Sequence, residues 1–128
     1  MFRIEVIEKL AVIKLIFSGI PCQDEIKRLF QAGDVIRRQF PQGYRLWITL
    51  PEGGRDFGHE EQGKLDLFLY EGRRIGLRQV VIESAGKTAL CRQFATMLEK
   101  LYQGVGVPVS VVPDTVMAKK ALNLLWHG

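Results

Sequence analysis

Polar and apolar residues alternate from the first positions of the chain: Phe2, Ile4 and Val6 are apolar, while Arg3 and Glu5 are charged. Alternation of this kind predicts a strand with one face in the core and the other in water. A short polar break, Glu8-Lys9, precedes Leu10 to Phe17, a denser run rich in β-branched residues that suits a more central strand. So brief a break predicts an antiparallel hairpin, because a parallel partner needs a long crossover. Ser18-Gly19-Ile20-Pro21 then stops the second strand.

From Gln23 the period changes. Ile26, Leu29, Phe30, Gly33, Ile36 and Phe40 follow helical three-and-four spacing, with Asp24 and Glu25 favourably placed near the start and Pro41-Gln42-Gly43 at the end. Tyr44 to Leu50 returns to alternation, with Tyr44, Leu46, Ile48 and Leu50 on one face and Arg45, Trp47 and Thr49 on the other. The glycine-rich segment 51–63 reads as a loop, and Leu65, Phe68, Leu69 and Gly72 as the stripe of a helix from about Lys64 to Arg74. Arg78 to Glu83 has the continuous apolar centre of a middle strand. After Ser84-Ala85-Gly86 comes the clearest helix, with Leu90, Phe94, Met97, Leu98 and Leu101 on one face and Gly104 and Gly106 at its end. Val107 to Val112 is the last strand. Asp114 is the expected N-cap of a final helix through Leu125, carrying Val116, Ala118 and Leu122 on its apolar side.

The order predicts an α/β fold: one mixed five-stranded sheet, opening with an antiparallel hairpin and continuing through helical crossovers that leave strands two to five parallel. No linker, internal repeat or low-complexity tract divides the sequence. A single domain over 1–128 is the expectation, and the chain's 128 residues are enough for one core without disulfides or a structural metal.

Composition adds little. Hydrophobic residues make up 47% and charged residues 25%, which excludes disorder and collagen-like or disulfide-scaffold classes. The net charge of +4 comes from basic residues spread from Arg3 to Lys120, without the clustering that a nucleic-acid groove requires. Cys22 and Cys91 match no metal-ligand spacing and read as free thiols of a reducing compartment. No signal peptide or spanning segment is visible, so a cytoplasmic protein is expected.

Ligands of open α/β sheets bind beyond the carboxyl ends of the strands. That edge should collect Arg55, Asp56 and His59 from the loop after strand three, together with Ser84, Lys87 and Thr88 after strand four. His59 with Asp56 has the chemistry of an acid–base pair, but a wet glycine-rich loop fixes no geometry for one. Gly86-Lys87-Thr88 looks like the end of a phosphate-binding loop, yet the glycine that the full motif needs is replaced by Val81. An isolated anion at that helix start is all it supports. Cys22 at a helix start has no placeable base. Leu65 to Tyr70 is more apolar than one inward stripe requires, so Leu65 and Phe68 are candidates for a pocket lid or a partner contact. Trp47, on the polar face of its strand, lies either under a covering helix or on a partner surface. Trp126 either seals the core or anchors a dimer.

The order of elements, the strand ending in Phe17-Ser18-Gly19, the Val80-Val81-Ile82 strand and the terminal Ala121-Leu122-Asn123-Leu124-Leu125-Trp126 resemble the STAS-like domains, closest to the SpoIIAA-like branch. That fold is related to the lipid-binding CRAL-TRIO domains. The resemblance covers nearly the whole chain and is one of topology. Phosphoswitch members of that family carry an Asp-Ser-Ser-Gly-like stretch after the third strand; here the corresponding Arg55 to Gly63 has no Ser, Thr or Tyr, so the switch does not carry over. What the resemblance implies is a non-catalytic regulatory or protein-interaction module in signalling, without a cofactor or metal. Its partner would be an unidentified protein or a small apolar or anionic ligand, and leftover apolar helix faces suit a homodimer. The alternatives are a small-molecule or lipid binder with a cavity between sheet and helices, and an enzyme built on Asp56 and His59.

Overall fold

Five strands form one sheet, in the spatial order β1-β2-β3-β4-β5, in the computed structural model, which describes residues 2–17, 23–50, 76–85 and 89–123. The strands are β1 (Phe2–Ile7), β2 (Val12–Phe17), β3 (Tyr44–Thr49), β4 (Leu77–Glu83) and β5 (Val109–Val112). Three helices are described: α1 (Gln23–Arg37), α2 (Ala89–Gly104) and α3 (Thr115–Ala121). β1 pairs antiparallel with β2, from Phe2 opposite Phe17 to Ile7 opposite Val12. The pairings of β2 with β3, β3 with β4 and β4 with β5 are all parallel. The α/β class and the single mixed sheet read from the sequence are therefore present.

Side chains of paired residues share a face, so the register sorts the core into two layers. On one face Ile13, Leu46 and Val80 lie in a row across β2, β3 and β4, with Leu15, Ile48 and Ile82 in the next. Leu29 of α1 and Phe94, Leu98 and Tyr102 of α2 pack into these rows. The opposite face carries Val12, Trp47, Val81 and Val112, which pack with Ala118 and Leu122 of α3. Trp47 is thus core, only 2% exposed. Cys91 is core as well, and Ala95 and Tyr102 join the buried side of α2 beyond the stripe that spacing alone suggests.

Element ends differ from the expectations where backbone hydrogen bonds are used elsewhere. Strand two begins at Val12, because Glu8–Leu10 forms a 3-10 turn closed by Ala11, whose φ of 52° is left-handed. Leu10 goes with that turn and packs against the Trp47 layer. Helix α1 stops at Arg37; Phe40 belongs to the following turn, in which its N–H donates to Arg37 O (3.0 Å). Val107 donates its N–H to Tyr102 O (3.1 Å), closing α2, and so the last strand starts at Val109. The final helix ends at Ala121, not Leu125: Leu122 is its C-cap and Asn123 is left-handed at φ 60°. Val116, expected on the apolar side, is 64% exposed. The loop and helix expected over 51–74, and Trp126, lie outside the described residues.

Gly43 and Gly76 stand back to back where β3 and β4 begin, with φ of 106° and 116°. A Cβ on Gly43 would meet Gly76 O at 3.0 Å and the Arg78 side chain, so both the conformation and the space demand glycine. Gly104 has open space around its missing Cβ. In urea unfolding, Gly43→Ala should lower stability by about 2 kcal/mol or more, whereas Gly104→Ala should leave it unchanged or raise it by up to about 1 kcal/mol.

Candidate functional site

The parallel strands end together along one edge, where Thr49 of β3 stands in register with Glu83 of β4, and Glu83 with Val112 of β5. Chain order brings α3 to the same edge, since β5 leads through Pro113 into Asp114, the N-cap of α3. The Asp114 side chain accepts the Met117 N–H at 2.8 Å, satisfying one of the free donors of the first turn. Glu83 sits between sheet and helix. One of its carboxylate oxygens accepts from Trp47 Nε1 at 3.0 Å, and the other from Thr115 Oγ1 at 2.9 Å.

Lys14 is the register partner of Trp47 on β2, and its Nζ lies 4.0 Å from the centroid of the indole ring. The indole thus has a cation over its face and a carboxylate at its N–H edge, the arrangement that its quadrupole and its single donor favour. Beside Glu83, Thr49 Oγ1 is buried without a hydrogen-bond partner among the described residues. On the opposite face of the sheet, Ser84 Oγ and Cys91 Sγ are 3.2 Å apart, and both residues are buried. Chemically this edge offers a carboxylate held in one orientation, an ammonium on an aromatic floor and one unsatisfied hydroxyl.

The amino end of the same face is polar too. Arg45 donates to the carbonyls of Leu122 (2.7 Å) and Leu10 (3.2 Å), and Gln79 Nε2 donates to Ala121 O (3.3 Å). Partial burial draws the Arg45 guanidinium below its ordinary value. Arg37, the last residue of α1, is buried; burial raises the Tyr44 phenol, and the charge and then the hydrogen bond of Arg37 oppose that rise. Burial raises Tyr102 further, and Tyr44 adds to it, so both phenols stay neutral through ordinary pH. The space between α1 and the sheet, bounded by Ile4, Leu29, Ile36, Arg37 and Tyr44, is about 20 Å³, room for roughly one water.

Of the sequence-derived site residues, Ser84 is placed at this edge, facing Cys91. Arg55, Asp56, His59, Leu65 and Phe68 lie outside the described residues, as do Lys87, Thr88 and Cys22. The edge residues that sequence reasoning passed over are Lys14, Glu83 and Thr115. For Lys14 and Glu83 the signal was a charged residue within or at the end of a strand, and for Thr115 its place after the Asp114 cap; strand register and the docking of α3 bring them together. Among the described residues no group of three or more His, Cys, Asp and Glu side chains is placed to hold a metal ion, and no helix is long and apolar enough to cross a membrane. Comparison with family models, with curated proteins and with solved structures returned no match.

Truncating Glu83 leaves the buried indole N–H without its acceptor, whereas removing the Thr49 hydroxyl leaves nothing unpaired. In denaturant titrations, Glu83→Ala should cost about 2 kcal/mol and Thr49→Val should fall within about 1 kcal/mol of the wild type, on the stabilising side.

Proposed function

We propose that the chain is a non-catalytic regulatory or protein-interaction module of STAS-like type, working through the carboxyl edge of its sheet. The observation that carries this reading is how that edge uses its polar groups. Glu83 accepts through both oxygens from Trp47 and Thr115, and Ser84 faces Cys91, so these groups act as ties within the fold. Outside the ties three apolar side chains stand exposed within one short run of sequence, Val111 at 41%, Val116 at 64% and Met117 at 42%. Apolar side chains in that position favour contact with another protein. The chain also leaves β3 at this edge toward the 51–63 segment, and β4 toward 86–88, which extends the proposed surface to Arg55, Asp56, His59, Lys87 and Thr88.

The test pairs two measurements on protein from its own cells. Affinity capture should retain one protein in stoichiometric amount with the wild type and lose it with Val116→Asp/Met117→Asp, a change confined to exposed side chains. Native mass spectrometry of the same preparation should show no retained small molecule. A bound lipid or metabolite, or a catalysed turnover abolished by Asp56→Asn or His59→Gln, would replace this reading with one of its rivals.

A further inference from the structure

The sheet has two edges, and they are built differently. β5 is four residues long and lies between Pro108 and Pro113, a short edge bracketed by residues that cannot donate to a ladder. β1 is six residues long, without a proline, a glycine or a bulge in its pairing with β2. Its outer side meets no further strand among the described residues. The backbone groups on that side are an open template for another strand.

The side chains of β1 say which strand fits. Arg3 and Glu5 share a face and reach each other at 3.1 Å, with 71% and 48% of their side chains exposed. Charges on an edge strand usually repel a second copy; this pair sums to zero and is complementary to itself. In an antiparallel pairing of two β1 strands about Ile4, Arg3 of each copy stands opposite Glu5 of the other, and the half-buried Ile4 stands opposite its own counterpart. Shifting the register by two residues either way sets Arg3 against Arg3 or Glu5 against Glu5. A shift of one puts charged positions on the wrong face. The charges therefore select one register out of those available.

We propose that β1 is a homodimerisation edge, at which a second copy of this chain adds antiparallel across a two-fold axis at Ile4 to give one continuous sheet. The axis runs perpendicular to the sheet, so both copies keep α1 and α2 on the same side. The contact is isologous and closes on itself. Main-chain hydrogen bonds supply its attraction, and the two reciprocal Arg3–Glu5 pairs supply its specificity. It is independent of the β5–α3 surface and survives or fails apart from the interaction-module reading.

Sedimentation equilibrium tests it. The wild type should dimerise reversibly, while Arg3→Glu alone and Glu5→Arg alone, which place like charges opposite each other twice per dimer, should each raise the dissociation constant about tenfold or more. The exchanged double variant Arg3→Glu/Glu5→Arg restores the complementarity and should return the dimer to near wild-type affinity. Hydrogen exchange should show the outward amides of β1 protected in the wild type and in the double variant but not in the single ones. A wild type that stays monomeric up to about 1 mM, or a dimer indifferent to both single reversals, overturns the proposal. So does a double variant no tighter than the single ones.

Discussion

Helix α3 is two turns long, too short to persist by its own hydrogen bonds, yet among the described residues it is the helix that covers the Trp47 face of the sheet. It is held because each of its ends is tied to a strand. At the start, Thr115 is bound to Glu83; at the finish, Arg45 takes the Leu122 carbonyl and Gln79 takes that of Ala121. The Arg45 charge also lies at the negative end of the helix dipole, and Asp114 at the positive end. Between the two ties, Ala118 and Leu122 become fully buried against Val12, Trp47 and Val81. Burying an aromatic and several aliphatic side chains is worth about 2 kcal/mol each, which is lost if the helix lifts away.

That constraint explains why polar residues occupy a sheet face that looks, in sequence, half solvated. Arg45, Gln79 and Glu83 alternate with Trp47 and Val81 on the face beneath α3, and each of the three gives its polar atoms to the helix or to the indole. The other face leans on such ties less. There α1 and α2 run for 15 and 16 residues and cover the strands with apolar side chains, with Arg37–Tyr44 and Ser84–Cys91 as polar contacts beside that packing. One sheet thus has a side held mainly by apolar area and a side where a few directed bonds add to a smaller apolar layer. The carboxyl edge, where Glu83 and Thr115 meet, belongs to the second kind.

Much of the architecture was legible from periodicity. The hairpin, the helices before β3, before β5 and after it, the Asp114 cap and the glycines at the end of α2 all depend on neighbouring residues, and the structure has them. Element ends were less legible, because they turn on single backbone bonds such as Val107 N–H to Tyr102 O, which no pattern of side chains announces. The site was legible least. Lys14, Trp47 and Glu83 come from three different strands, and their meeting depends on registers that sequence spacing does not contain. Ser84 was found because a residue that follows a strand must lie at its carboxyl end, whatever the register.

The central claim is that end ties, Arg45 above all, hold α3 over Trp47. Its most direct measurement uses a Trp126→Phe background, in which Trp47 is the single tryptophan, and compares that protein with the same protein carrying Arg45→Met. If the ties hold the helix, the second substitution should speed amide exchange in α3 at least tenfold, an effect of about 1.4 kcal/mol or more. Acrylamide should then quench Trp47 more strongly, while the amides of β2 to β4 keep their protection. Trp47 equally shielded and α3 exchanging at an unchanged rate would contradict the account and leave packing alone to hold the helix.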